Sequence, residues 1–211
     1  MYKKNHITKI INGLNYLEER KINNASEGNL SLRSKNGFYI SPSALTPKEM
    51  KPCDIAFVNF KGDIKGSSKP SSEWKMHLSI YKKKKVNAIV HSHSIWASSL
   101  SCLRKRIPSF HYMIAEFGGS DIKCSEYATF GTDEIANNVS SALENRKGCL
   151  IANHGQITIG NTIEEAISLC ESMEKLSMQY LISKIAGGAE LLNRKQMGDV
   201  VKLFKSYKSK H

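Results

Sequence analysis

The sequence predicts an α/β fold, with a mixed sheet covered by helices. Short β-like runs recur along the whole chain, and helical patterns lie between them in an irregular order rather than as strict βαβ units. No internal repeat or low-complexity linker divides the 211 residues, so residues 1–211 read as a single domain. A composition of 40% hydrophobic and 24% charged residues excludes a disordered or fibrous chain.

Taken in order, Ile7, Ile10, Ile11, Leu14 and Leu17 predict an amphipathic helix over 5–22. Lys3 and Lys4 precede it, but Asn12, Gly13 and Asn15 interrupt its apolar face, unlike the core of a signal peptide. A cytoplasmic location is the expectation. Strands follow at Asn29–Arg33, Phe38–Ser41 and Ile55–Phe60, with a helical turn after Thr46, where Pro47 and Glu49 mark its start. Trp74, Leu78 and Tyr81 predict a helix over 71–85. Its Lys82–Lys85 end reads as a solvated terminus that complements the helix dipole. Further strands are expected at Ala88–His93, Cys149–Asn153 and Gln156–Ile159, and further helices over 131–146 and 162–187. No apolar run approaches the roughly 18 residues that a membrane span requires.

Lys and Arg outnumber Asp and Glu by 31 to 19, a net +12. That surplus fits a polyanionic partner, a phosphorylated substrate or a plain basic surface. No aromatic stacking platform or nucleic-acid signature accompanies it. The five cysteines are scattered without a CxxC pair, which argues against a disulfide framework or a cysteine zinc site. They read mostly as small buried hydrophobes.

The residues that carry chemistry begin with Val90-His91-Ser92-His93. Residues two apart on a strand face the same way, so both imidazoles project to one side. A catalytic zinc site needs three protein ligands and an open position, and His154, before Gly155 at the end of another apolar run, is the third candidate. An isolated HxH reads more readily as satisfied core or surface histidines, and the third histidine at an equivalent strand end shifts the reading toward a metal. His6 and His211 are expected to be exposed near the termini, His77 on the polar side of its helix, and His111 after Pro108; none is taken as a ligand. Lys69-Pro70-Ser71-Ser72-Glu73-Trp74 reads as helix capping or as an anion site with Glu73 as a general base beside it. Two turns, Glu27-Gly28-Asn29-Leu30-Ser31 and Ile40-Ser41-Pro42-Ser43-Ala44, present small or hydroxyl residues where N–H groups can converge on an oxyanion.

In order, GNLS at 28–31, ISPSA at 40–44, KPSSEW at 69–74, HSH at 91–93 and NHG at 153–155 resemble the class II aldolase/adducin family, from about residue 8 to about residue 207. His111-Tyr-Met-Ile-Ala115, Gly118-Gly119 and Tyr127-Ala-Thr-Phe-Gly-Thr132 are similar to its sugar-phosphate aldolase branch. The resemblance implies a three-layer α/β/α fold with a mainly antiparallel mixed sheet, and a homotetramer with active sites at subunit interfaces. It implies that His91, His93 and His154 hold one Zn2+ per subunit and that Glu73 is the acid/base. Gly28, Asn29, Ser43, Ala44, Ser71 and Ser72 would hold the substrate phosphate, and Phe130 would line the aldehyde side. Tyr112 would reach a neighbour's site as a second proton-transfer group, and Tyr207 would help close it.

The implied reaction is reversible cleavage of a ketose 1-phosphate, such as L-fuculose 1-phosphate or a related deoxy- or pentulose 1-phosphate. Its products are dihydroxyacetone phosphate and a small aldehyde such as lactaldehyde. Ala44 departs from the glycine common in the family; if its φ is positive, it carries roughly 1 kcal/mol of strain. A pentose-phosphate 4-epimerase, another lyase on the same scaffold and a non-catalytic adducin-like module are the alternatives. The retained histidines argue against the last of these, and Glu73, where the epimerase branch typically has Asp, argues against the first.

Overall fold

The computed structural model describes residues 2–66 and 68–208, with the backbone alone at 2, 3, 205, 207 and 208. Among the described residues, six α-helices and seven strands alternate irregularly: α1 (Tyr2–Glu19), β1 (Asn29–Ser34), β2 (Gly37–Ile40), β3 (Ala56–Asn59), β4 (Ile64–Lys65), α2 (Trp74–Lys83), β5 (Ala88–Ser92), α3 (Ile95–Ser101), α4 (Asp133–Ala142), β6 (Gly148–Ile151), β7 (Gly155–Gly160), α5 (Ile163–Ile185) and α6 (Arg194–Lys208). A 3-10 segment, Tyr112–Phe117, lies between α3 and α4. All seven strands join one sheet in the order β4-β3-β2-β1-β5-β7-β6. Every pairing within it is antiparallel, so the expected mixed sheet is antiparallel throughout. The pairs β1–β2, β3–β4 and β6–β7 are hairpins with short connections, and hairpins force antiparallel order.

Alternation along the central strands builds the two faces. Leu30, Leu32, Ala88 and Val90 bury against Ile7, Ile10, Leu14 and Leu17 of α1 and against Ile163, Ala166 and Cys170 of α5. Ile89, Ile157, Ile159 and Phe38 face the other way, against Met76, Ile80 and Tyr81 of α2 and Ile135 and Val139 of α4. A third apolar cluster joins Ala97 and Leu100 of α3, Ile114 and Phe117 of the 3-10 segment, Met173 of α5 and Met197 of α6. The helices thus form layers on both sides of the sheet, as expected.

Thr132 and Thr162 cap α4 and α5 through hydrogen bonds accepted from Ile135 N and Glu165 N, which fixes both starts. Helix α3 and helix α6 have no counterpart in the sequence reading. Lys82, Lys83 and Lys85 are exposed at the end of α2, as a solvated terminus requires. Cys149 and Cys170 are buried, whereas Cys53 and Cys102 are exposed and Cys124 lies between.

His77 corrects the sequence reading: it is fully buried on the inner face of α2, not on its polar side. His6 is half-buried, its Nε2 3.0 Å from the Arg33 carbonyl, and His211 lies outside the described residues.

Candidate active site

Antiparallel order brings the start of β1, the end of β5, the start of β7 and the end of β6 to one edge of the sheet. Register places Asn29 opposite His91, Ser92 opposite Gln156 and Gly155 opposite Ile151. His91 therefore sits one residue from the end of β5, His93 just beyond β5, and His154 in the β6–β7 turn. Asn153 holds that turn at φ 53°, a conformation Asn tolerates better than most residues. Its Oδ1 accepts from Arg104 Nε at 2.6 Å, and Ser101 Oγ accepts from His154 N at 3.2 Å. Gly155 is required by proximity, because a Cβ there would lie 2.4 Å from the Ser92 carbonyl oxygen.

The three imidazoles converge. His93 Nε2 lies 2.9 Å from His91 Nε2 and 3.0 Å from His154 Nε2. Glu73 completes the group, with Oε2 2.9 Å from His91 Nε2 and Oε1 3.2 Å from His154 Nε2. The ring pairs cross at 73°, 81° and 59°, so their edges rather than their faces meet at the centre. His91 Nδ1 donates to the Gln156 carbonyl at 2.8 Å, which turns its Nε2 inward.

One proton can bridge only one of these nitrogen pairs, leaving the others lone pair to lone pair. A cation at the centre satisfies all of them, and a tetrahedral zinc–imidazole set has N···N edges of about 3.3 Å. Glu73 Oε1 has no hydrogen-bond donor, although it is buried. Glu73, His91, His93 and His154 could therefore hold a metal ion.

Electrostatics agree with that chemistry. Burial opposes the charge of Glu73, but His91, His154 and the Asn29 amide outweigh it and hold its carboxyl well below the usual range. Burial pushes His93 to about 3 and His154 to about 4, with His91 adding like-charge repulsion, so both present lone pairs at neutral pH. Burial also opposes the charge of His91, yet Glu73 prevails and raises it.

Above the histidines opens a hollow of about 800 Å³. Gly28, Asn29, Ser43, Ala44, Ser71, Ser72, Glu73, Phe130, His93 and His154, all expected from sequence, line it together. His91 lies beneath, fully buried. The 41–44 and 69–72 loops run side by side through a Pro42–Pro70 bridge, with Ser71 N donating to Ser41 O at 2.9 Å. Gly28, at φ 70°, closes a third side, where a Cβ would meet the His91 carbonyl and the Asn23 amide at 2.6 Å.

Capping explains little of the 70–73 stretch. Glu73 is itself the N-cap residue of α2, yet its carboxylate makes no cap bond and turns to the histidines. Ser71 Oγ accepts from Glu73 N at 3.3 Å, Ser43 Oγ donates to Pro70 O at 3.0 Å, and Asn29 Nδ2 donates to Glu73 Oε2 at 3.0 Å. Asn29 thus spends its side chain partly on the carboxylate. Ala44 stands at φ 59°, so the departure from glycine falls on a left-handed backbone position.

A match to the family model "Class II Aldolase and Adducin N-terminal domain" spans residues 8–181. The chain belongs to this family. Within it, the 5-methylthioribulose-1-phosphate/5-deoxyribulose-1-phosphate aldolase of Rhodospirillum rubrum is 41% identical over 88% of this chain and 85% of its own. The L-fuculose phosphate aldolase of Haemophilus influenzae is 38% identical over 94% of this chain and 93% of its own. A solved L-fuculose 1-phosphate aldolase superposes with a TM-score of 0.92 at 34% identity, covering 95% of this chain and 96% of that one.

Against this class II aldolase/adducin scaffold, the structure leaves two expected residues outside the hollow. Tyr112 is half-exposed on the 3-10 segment, beside a second hollow lined by Arg20, Trp96 and Lys175. The Tyr207 side chain lies outside the described residues. Residues without an assigned role also reach the site. Tyr127 lines the hollow under the Arg104 guanidinium, 5.0 Å from the ring centre, so one arginine ties the His154 turn to the aromatic wall. His77 touches Asn29 from behind. The repeat Glu73, His77, Tyr81 at i, i+4 and i+8 was the pattern that could have revealed it, since such residues share one helix face.

Proposed function

We propose that this chain is a class II sugar-phosphate aldolase, a lyase that reversibly cleaves a ketose 1-phosphate into dihydroxyacetone phosphate and a small aldehyde. The convergence of Glu73 with His91, His93 and His154 on the floor of a hollow ringed by small and hydroxyl residues carries the reading. Zinc, held by the three imidazoles, would supply a Lewis acid against the negative charge left when the C3–C4 bond breaks. Neutral imidazoles would leave the positive charge of such an ion undiminished, which suits them as ligands better than thiolates.

The remaining work falls to the protein. Gly28, Asn29, Ser43, Ala44, Ser71 and Ser72 grip the phosphate and thereby align the reacting carbons. Glu73 moves the proton at carbon through Oε1, the oxygen that no hydrogen bond occupies, while Asn29 holds Oε2. Tyr112, contributed by a neighbouring subunit, takes the C4 hydroxyl proton, and Tyr207 helps close the site. Phe130, 65% exposed, and Tyr127 give the aldehyde side an aromatic wall. That wall suits lactaldehyde from L-fuculose 1-phosphate, and equally a methyl or thioether aldehyde from a 5-deoxy- or 5-methylthiopentulose 1-phosphate.

The protein acts as a homotetramer of single-domain subunits spanning residues 1–211, in the cytoplasm. Ile95, Leu103 and Tyr112 are large apolar side chains left exposed, surface that assembly with other copies would bury. Among the described residues no helix is long and apolar enough to cross a membrane. Purified protein with zinc and dihydroxyacetone phosphate, offered a panel of aldehydes, tests the reading by product analysis and stereochemistry. Failure to form a carbon–carbon bond with any of them overturns it, and epimerised pentulose phosphate as product would favour the epimerase instead.

A further inference from the structure

Behind the hollow runs a buried chain of hydrogen bonds that contacts no lining side chain except Asn29 and Glu73. Asn29 Nδ2 donates to Glu73 Oε2 at 3.0 Å, and Asn29 Oδ1 lies 2.6 Å from His77 Nε2. His77 Nδ1 lies 2.6 Å from Ser31 Oγ, which lies 2.9 Å from Tyr81 Oη. Asn29, Ser31 and His77 are all buried, His77 and Ser31 completely.

The direction of every bond follows from the carboxylate. An ionised Glu73 only accepts, so the Asn29 amide must turn its NH2 toward it and its oxygen toward His77. His77 must then donate from Nε2, which leaves Nδ1 as an acceptor for the Ser31 hydroxyl. Ser31, having spent its proton, accepts from Tyr81. A flipped Asn29 would set its oxygen against Glu73 Oε2 and its NH2 against the His77 N–H, two repulsive contacts at once.

We infer that His77 is a positioning residue for Glu73: as the Nε2–H tautomer it locks the Asn29 carboxamide, which in turn pins Glu73 Oε2 and leaves Oε1 as the oxygen that exchanges its proton with substrate. The inference rests on the acid/base role proposed for Glu73. It explains why α2, whose Met76 and Ile80 pack into the apolar core with Phe38 of β2, also carries a buried imidazole and phenol there. Ser31 and Tyr81 act one step further back, holding the tautomer.

The test uses zinc-loaded full-length protein, with exchange of the dihydroxyacetone phosphate C3 proton as the assay. His77→Phe slows exchange by about 10- to 100-fold with KM and zinc content near wild type, because the carboxylate loses its orientation rather than its substrate. His77→Gln, which keeps an N–H within reach of Asn29 Oδ1, recovers most of the rate. A folded, zinc-loaded His77→Phe protein exchanging at the wild-type rate overturns the inference, and so does a Gln variant no faster than Phe. Nitrogen-15 spectra of the wild-type histidines supply a reading independent of turnover and of how well the variants fold. Protonated Nε2 with bare Nδ1 at His77 is expected, and the opposite tautomer overturns the lock. Wild-type protein that shows this tautomer yet exchanges no proton would count against the aldolase reading and not against the lock.

Discussion

Asn29 holds Glu73 Oε2 and Oε1 has no hydrogen-bond partner, so the acid/base role proposed for Glu73 falls on Oε1 and can be tested by a single-atom change. Glu73→Gln keeps the shape and loses the proton carrier, so solvent exchange of the dihydroxyacetone phosphate C3 proton should fall by about 10²- to 10⁴-fold, measured by NMR in deuterated buffer. Ala44 offers a test in the opposite direction. At φ 59° an alanine is strained, and Ala44→Gly should gain about 1 kcal/mol, a rise of about 2–4 °C in thermal midpoint with tighter phosphate inhibition.

His77 predicts a pH effect. Unfolded, it binds a proton near pH 6.5; buried, it refuses one until about 3. The unfolded state therefore holds more protons through that window, and stability is full above about 6.5 and falls as pH drops, by up to about 1.4 kcal/mol per unit. Urea unfolding of wild type and His77→Gln should show their stability gap narrowing from pH 7 to pH 5.

At the scale of elements, the period-2 and period-3.6 patterns disclosed β1 to β3, β5 to β7 and four of the helices. His91 and His93 were legible for the same reason, since strand alternation alone puts them on one face. Of the elements left unread, β4 and α3 are only two and seven residues long, whereas α6 carries a helical apolar face, Met197, Val200, Val201 and Phe204, that the sequence reading passed over. Helix α3 is seven residues long, with Ser94 before it, and Glu174 of distant α5 accepts from Trp96 N and Ala97 N at its first turn. A start signal supplied by another element is invisible in a local window. His77 was misplaced for a related reason, because a histidine counts as polar until its partners on another strand are known.

The segment bearing Tyr112 and Phe130 is tied down at its centre by Asp121. Its Oδ1 accepts from Arg146 Nε at 3.1 Å and Nη2 at 2.5 Å, and Arg106 approaches Oδ2 at 3.3 Å. Asp121→Ala should cost about 2–3 kcal/mol by denaturant unfolding. It should also raise KM for the aldehyde more than for dihydroxyacetone phosphate, since the aromatic wall is what loosens.

For the whole molecule, the net +12 acquires a narrower meaning. Among the described residues no lysine or arginine lines the hollow, so on the proposed reading the surplus lysines would steer a phosphate at long range rather than grip it. Zinc should raise the thermal midpoint and a chelator should lower it to that of a His154→Ala protein, because an ion that binds only the native state stabilises it by mass action. An unchanged midpoint on chelation would remove the metal from the reading.

The meeting of four strand ends at one sheet edge also bears on how the protein is made. The group that could hold a metal draws on Glu73, on His91 and His93 beside the central strand, and on His154 in a hairpin formed by late-emerging sequence. Glu73, His91 and His93 are all made early, and only His154 arrives with the β6–β7 turn, so the three imidazoles come together once β7 has paired with β5. On the proposed zinc reading, the complete site would then form only with the closed sheet. Refolding should proceed at a rate indifferent to zinc, followed by a separate phase that scales with its concentration.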